Sequence, residues 1–378
     1  MWRLYNRKDL LMNKKKLGLA NVVSISVGLV VATSCLVSLG EGSGTLGVTF
    51  ILAMAIAMLL NMTTVASLSE LNALMPNTTG GLAQYTLAAL GPLPTLVSMV
   101  GGYIICNTMS CGVEASIFSF SLADTIGGNI PSIVYTFIMT FIILLANLRG
   151  VDMFAKIQDI VAFLLVGSLV VMGFIGMIGA GTGVKVEQPL VLEADFKSIA
   201  SMTAVAFWLF IGAEYAIPIS KEVKNAKRNV PLGMMIGLFL IFIMQSVMVF
   251  GFHNYVEWGK LADSAAPHLL YGYAILGKFG KIWMMLVGAL AVISTQNSTV
   301  NSLAVICQGM AKMNMMPKIF AKTNKYKVPW FGQVFVSAAI FLFAFVSNNS
   351  ADMIDFLILA GSVIWMVSYI LAHIDVLV

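Results

Sequence analysis

Apolar runs of about 20 residues recur along the whole chain, each long enough to cross roughly 30 Å of hydrocarbon as an α-helix. They fall at about 17–40, 46–70, 93–122, 131–148, 153–180, 198–218, 230–252, 282–311, 331–347 and 353–375. The pattern predicts an all-α integral membrane protein with about ten transmembrane helices. The longest polar intervals, about 181–198 and 252–281, leave no room for an extended soluble domain. A basic start followed by an apolar stretch resembles a secretory leader, but the run from Leu17 to Gly40 is too long for one and leads straight into further spans. It is read as the first transmembrane helix.

Composition strengthens this picture. Hydrophobic residues make up 59% of the chain and charged ones only 10%, with mean hydropathy +0.92, outside the range of soluble globular domains. Charge adds a direction. With the N-terminus on the cytoplasmic side, strict alternation of the spans collects 17 of the 22 Lys and Arg on that side. They include the six before Leu17, the Lys221 to Arg228 group and the Lys312 to Lys327 group. Only Lys185, Lys197, Lys260, Lys278 and Lys281 fall opposite. Such asymmetry follows the positive-inside rule. The net charge of +5 therefore concerns topology and anionic lipid, and no nucleic-acid surface is indicated.

Chemistry enters where polar or small residues sit at membrane depth. Cys35, Cys106, Cys111 and Cys307 lie in apolar spans without metal-ligand spacing and read as packing residues. His253, His268 and His373 likewise form no catalytic or metal pattern, so no enzyme, metal or cofactor is expected. Two spans stand apart. The first holds Gly28, Ala32, Thr33 and Ser34 near its middle, and the sixth holds Phe207-Trp208-Leu209-Phe210-Ile211-Gly212-Ala213-Glu214. A break there would free N–H groups on one half-helix and C=O groups on the other, which bind a carboxylate and an ammonium respectively. That is amino-acid chemistry. Spans one and six are also corresponding members of two five-span halves, as an inverted repeat requires. The alternative is that these small residues only permit close helix packing. Glu214 carries a large insertion cost at mid-span and must face protein or water. It reads as a gating or proton-coupling group, and Glu114 in span three raises the same question.

The run Phe207 to Glu214, continued by Glu222-Val223-Lys224-Asn225-Ala226-Lys227-Arg228-Asn229-Val230-Pro231, resembles the amino acid, polyamine and organocation superfamily. The arginine/agmatine exchangers of that family are especially similar here. Glu70-Leu71-Asn72-Ala73-Leu74-Met75-Pro76 with Gly80, Gly81 and Tyr85, and the segment Gly309 to Lys322, resemble two further family blocks in order and spacing. The resemblance implies a five-plus-five inverted-repeat fold like that of the LeuT-like transporters, with helices one and six discontinuous. It divides the chain into a basic segment 1–16, a first repeat 17–180, an external loop 181–197 and a second repeat 198–378.

The resemblance also implies roles. Ala32, Thr33 and Ser34 occupy the place of the family's Gly-Ser-Gly, where amides meet a substrate carboxylate, although only the middle hydroxyl is kept in kind. Phe207, Trp208, Phe210 and Gly212 would surround the substrate in span six, with Thr295, Asn297 and Ser298 lining the pathway from span eight and Glu214 and Glu114 as coupling carboxylates. Many proton-coupled relatives carry a lysine about ten residues after the Ala of Ala155-Lys156-Ile157-Gln158, where this chain has Leu165. The expected activity is transport of amino acids or derived amines by exchange or proton linkage, in a bacterial cytoplasmic membrane. A sodium-coupled symporter and a transport-inactive sensor are the rivals. The family's usual helices eleven and twelve have no counterpart before Val378.

Overall fold

The computed structural model of the chain describes residues 16–75, 82–126, 130–264, 266–347 and 351–378. The basic residues before Lys16, and Pro76, Gly80 and Gly81 of the second motif, lie outside them. Helices account for almost every apolar run, because a backbone in hydrocarbon must satisfy its own N–H and C=O groups. In chain order they are α1 Leu19–Val30, α2 Thr33–Leu46, α3 Phe50–Leu74, α4 Leu82–Leu90, α5 Pro92–Leu96 and, after a π-helical stretch Val97–Ile105, α6 Cys106–Ile126. Then follow α7 Ser132–Asn147, α8 Val151–Met177, α9 Phe196–Trp208, α10 Ala226–Tyr255, α11 Trp258–Ala262, α12 Pro267–Lys312, α13 Trp330–Ser347 and α14 Ala351–Leu377. Among the described residues seven helices are long and apolar enough to cross a membrane, and an eighth crossing comes from α1 and α2 taken as one bent span. Two shorter apolar helices, Ser132–Asn147 and Val363–Leu377, stand where the fourth and tenth spans are expected.

The packing is that of a protein solvated by lipid. Phe163 is 77% exposed and Leu59 59%, whereas Gln158, Gln296, Asn297 and Asn147 are fully buried. Apolar groups gain nothing from leaving lipid, while unpaired polar groups lose heavily in it, so the polar side chains turn inward. The helix α10 packs against α8, α1 and α3, and α12 packs against α8, α13 and α6. Those contacts enclose the first span.

The two ends of the bundle differ in charge. At one end Leu17 pairs with the loop after span six, donating to the Glu222 carbonyl at 2.8 Å and accepting from the Lys224 amide at 2.8 Å. Lys16, Lys221, Lys227 and Arg228 line one groove there. Burial and the neighbouring charge of Lys312 lower the Lys221 pKa. At the other end the 181–195 segment is tied down by Gln188, whose amide donates to the His253 and Val256 carbonyls at 2.8 Å each. This end corrects one sequence expectation. The interval 252–281, read as a polar loop, contains α11 and the first part of α12, which kinks at Leu276 and Gly277 before the expected eighth span. Its helices are held by packing on their neighbours, α11 against α2, rather than by an apolar run of their own, so hydropathy alone passes over them. The amphipathic α4 was missed for the same reason; Tyr85 on it donates to Asn72 Oδ1 at 3.2 Å and Thr86 donates to Asp375 at 2.6 Å.

Candidate substrate site

The first span unwinds at Val31 and Ala32, and its two halves meet at 65°. Gly28, just before this break, admits the Gln158 side chain; a Cβ there would lie 1.4 Å from Gln158 Nε2. Ala32 takes an extended conformation as the N-cap of α2 and, having no polar side chain, leaves the first-turn amides uncapped from its own position. Cys35 Sγ donates to the carbonyl of Val30 at 2.8 Å. In the sixth span α9 stops at Trp208, and the chain turns through Leu209 to Gly212 before a short 3₁₀ turn, Ala213–Ala216. Gly212 has φ of +114°, a conformation that a side chain resists. A Cβ on it would sit 2.5 Å from Leu29 Cδ2, so the two breaks touch.

Around this contact lies a cavity of about 20 Å³, room for one water molecule, with Ala32, Glu114, Trp208, Thr295 and Trp365 in its wall. An amino acid fits only if these side chains move apart. Glu114, on α6, is 2% exposed and accepts from Ser34 Oγ at 2.6 Å and Thr33 Oγ1 at 3.5 Å. Trp208 Nε1 donates to the same Ser34 oxygen at 3.0 Å. The Trp208 and Trp365 rings meet edge to face at 6.1 Å.

The other expected site residues fall elsewhere. Phe207 packs edge to face on Tyr369, and its carbonyl accepts from Asn61 Nδ2 at 3.3 Å. Phe210 is buried in the turn. Glu214 does not line the cavity; it accepts from Tyr369 Oη at 2.8 Å beside a cluster of Tyr103, Tyr215 and Trp365 rings. Asn297 turns toward α7 and α8, accepting from Asn147 Nδ2 at 2.9 Å and donating to Gln158 Oε1 at 3.0 Å. Ser298 is buried, and its hydroxyl has no partner among the described residues. Gln158 in turn donates to Ser294 Oγ at 2.6 Å and to the Ser24 carbonyl at 3.4 Å. Sequence reasoning passed over Trp365, Asn107 and Ser110, which also line the cavity. Trp365 carried a usable signal, since an indole four residues before Tyr369 marks an aromatic face on that span.

Two broken spans that touch at their breaks beside a small cavity define the class of helical membrane transporters with the LeuT-like inverted-repeat fold. Solved structures of that fold align with most of the chain. Mhp1, a nucleobase-cation-symport-1 family transporter, gives a TM-score of 0.63 at 12% identity, covering 92% of this chain and 75% of Mhp1. MhsT in complex with L-phenylalanine gives 0.62 at 14% identity, covering 93% and 87%. At such identities the likeness is one of fold.

The chain belongs to the amino acid permease family, whose pattern matches residues 21–377. It is similar to a putative arginine/ornithine antiporter of Bacillus subtilis (strain 168), 27% identical over 172 residues, covering 44% of this chain and 36% of that one. The arginine/ornithine antiporter of Latilactobacillus sakei is 24% identical over 370 residues, covering 89% and 76%. The putrescine transporter PotE of Escherichia coli (strain K12) is 30% identical over 141 residues, covering 35% and 30%. The aligned region thus spans about a third of the first and third of these relatives and about three quarters of the second.

Proposed function

We propose that the chain moves amino acids or amino-acid-derived amines across a membrane by alternating access. The observation that carries this reading is the pair of touching breaks beside a cavity with room for about one water molecule. A cavity that small needs a conformational change to admit substrate, which is the working cycle of a carrier rather than a channel. The site would lie where α1, α2 and α9 present free backbone groups, with Trp208, Trp365 and Glu114 in contact with substrate and Glu214 as the carboxylate that senses proton or gate. The basic end around Lys16, Lys221 and Arg228 would face the cytoplasm, placing the N-terminus there.

Exchange or proton linkage is favoured over sodium coupling. A cation between spans one and eight would draw on Ser294, Thr295 and Ser298, and the Gln158 amide already bonds the first of these hydroxyls. Purified protein in liposomes preloaded with one amine or amino acid is expected to take up label by counterflow, without dependence on sodium. Glu214→Gln and Trp208→Ala are expected to impair it. Failure of wild-type protein to bind or exchange any member of a broad amino-acid and amine panel would overturn the reading.

A further inference from the structure

Resting on that proposed transport role, we propose that the substrate of this site is an organic cation without a carboxylate, an amine of the kind left when a basic amino acid loses its carboxyl group. The reason is that Glu114 already occupies the anion position at the start of α2. A helix N-terminus carries free amides and partial positive charge, and a substrate carboxylate would dock there. In this chain Ala32 supplies no cap, and Glu114 reaches across from α6 to the first two residues of α2. Its carboxylate accepts from the hydroxyls of Ser34 and Thr33. The protein thus brings its own acid to the point where an amino acid would bring another.

The rest of the cavity suits a cation. No Lys, Arg or His lines it, so nothing in the wall balances a second carboxylate. The nearest basic ring, His268, stands behind Gly288, whose Cβ position would lie 3.5 Å from His268 Nε2 and 3.6 Å from Thr33 Cγ2. Thr295, 5% exposed and in the wall, keeps its Oγ1 without a partner among the described residues and can accept from an ammonium. Two indoles, Trp208 and Trp365, stand in the wall, and indole rings attract alkylammonium groups. A zwitterion would set its carboxylate against Glu114, and the two like charges would oppose binding. A carboxylate-free amine brings no second negative charge to Glu114.

Matched pairs test this directly: putrescine against ornithine, and agmatine against arginine, measured by equilibrium binding to the purified full-length protein. The decarboxylated member is expected to bind at least tenfold more tightly. Glu114→Gln, which frees the start of α2, is expected to weaken the amines at least tenfold and to erase or invert the preference, an outcome that a merely structural role would not produce. Glu114→Asp should keep its direction. If ornithine or arginine binds the wild type as tightly as its amine, the inference fails while the transport reading stands; if no member of either pair or of the wider panel binds, both fail. Should Glu114→Gln lose its folding transition, the wild-type pairs decide alone.

Discussion

Gly28→Ala is the substitution whose consequence follows most directly from the geometry. The new Cβ would lie 1.4 Å from Gln158 Nε2, 2.7 Å from Gln158 Cδ and 2.6 Å from Ser294 Oγ, so the amide must swing away. The clashing atoms end a rotatable side chain, and the steric part relaxes. What remains is the loss of the Gln158 bonds to Ser294 and Ser24 and of the bond received from Asn297, the first and last between fully buried side chains. At about 0.6–1.5 kcal/mol for each interhelical bond, the loss comes to roughly 2–4 kcal/mol. The better helix propensity of alanine returns about 1 kcal/mol, leaving a net destabilisation of about 1–3 kcal/mol. Equilibrium unfolding of purified protein in mixed micelles titrated with SDS measures it. The decisive comparison is a cycle with Gln158→Ala. Once that side chain is gone only the Ser294 hydroxyl, 2.6 Å away and free to rotate, stands in the way, and Gly28→Ala should become close to neutral. Equal destabilisation in both backgrounds would refute the reasoning.

Three further outcomes are expected. Gly212→Ala places a side chain at φ +114° and 2.5 Å from Leu29 Cδ2, so it should cost about 1–3 kcal/mol in the same unfolding assay and abolish counterflow. Tyr369→Phe removes the hydroxyl that donates to Glu214 and should lower stability by about 1.5–3 kcal/mol, with an unchanged unfolding midpoint as the contrary result. Asp195 caps α9, accepting from the Ser198 amide at 2.8 Å, and the Ser198 hydroxyl and amide hold its carboxyl below the ordinary 3.8. A lowered folded-state pKa stabilises above the unfolded value and fades as pH falls through the folded one. The melting-temperature gap between wild type and Asp195→Ala should therefore be widest at neutral pH and shrink below pH 3.8.

Hydropathy located the rough limits of most long helices, and small residues where two of them break. Hydropathy fixes helices because lipid forbids an unsatisfied backbone, whatever the neighbours are. Small residues between Gly28 and Ser34 and an aromatic-to-glycine run ending at Gly212 located the breaks, since small side chains let a neighbouring segment approach and glycine takes the positive φ at position 212. The way each helix is rotated about its axis was decided by tertiary structure alone. In a soluble helix the polar stripe faces water and announces the azimuth. Here lipid and core are both apolar, so Asn297 and Thr295, two residues apart on α12, gave no sign that one turns to Asn147 and Gln158 while the other faces the cavity. The same limit hid the junction of Glu114 with Ser34 and Thr33, 80 and 81 positions away in the chain. That junction exists only because α6 and the broken first span are packed together, and the proposed substrate class rests on it.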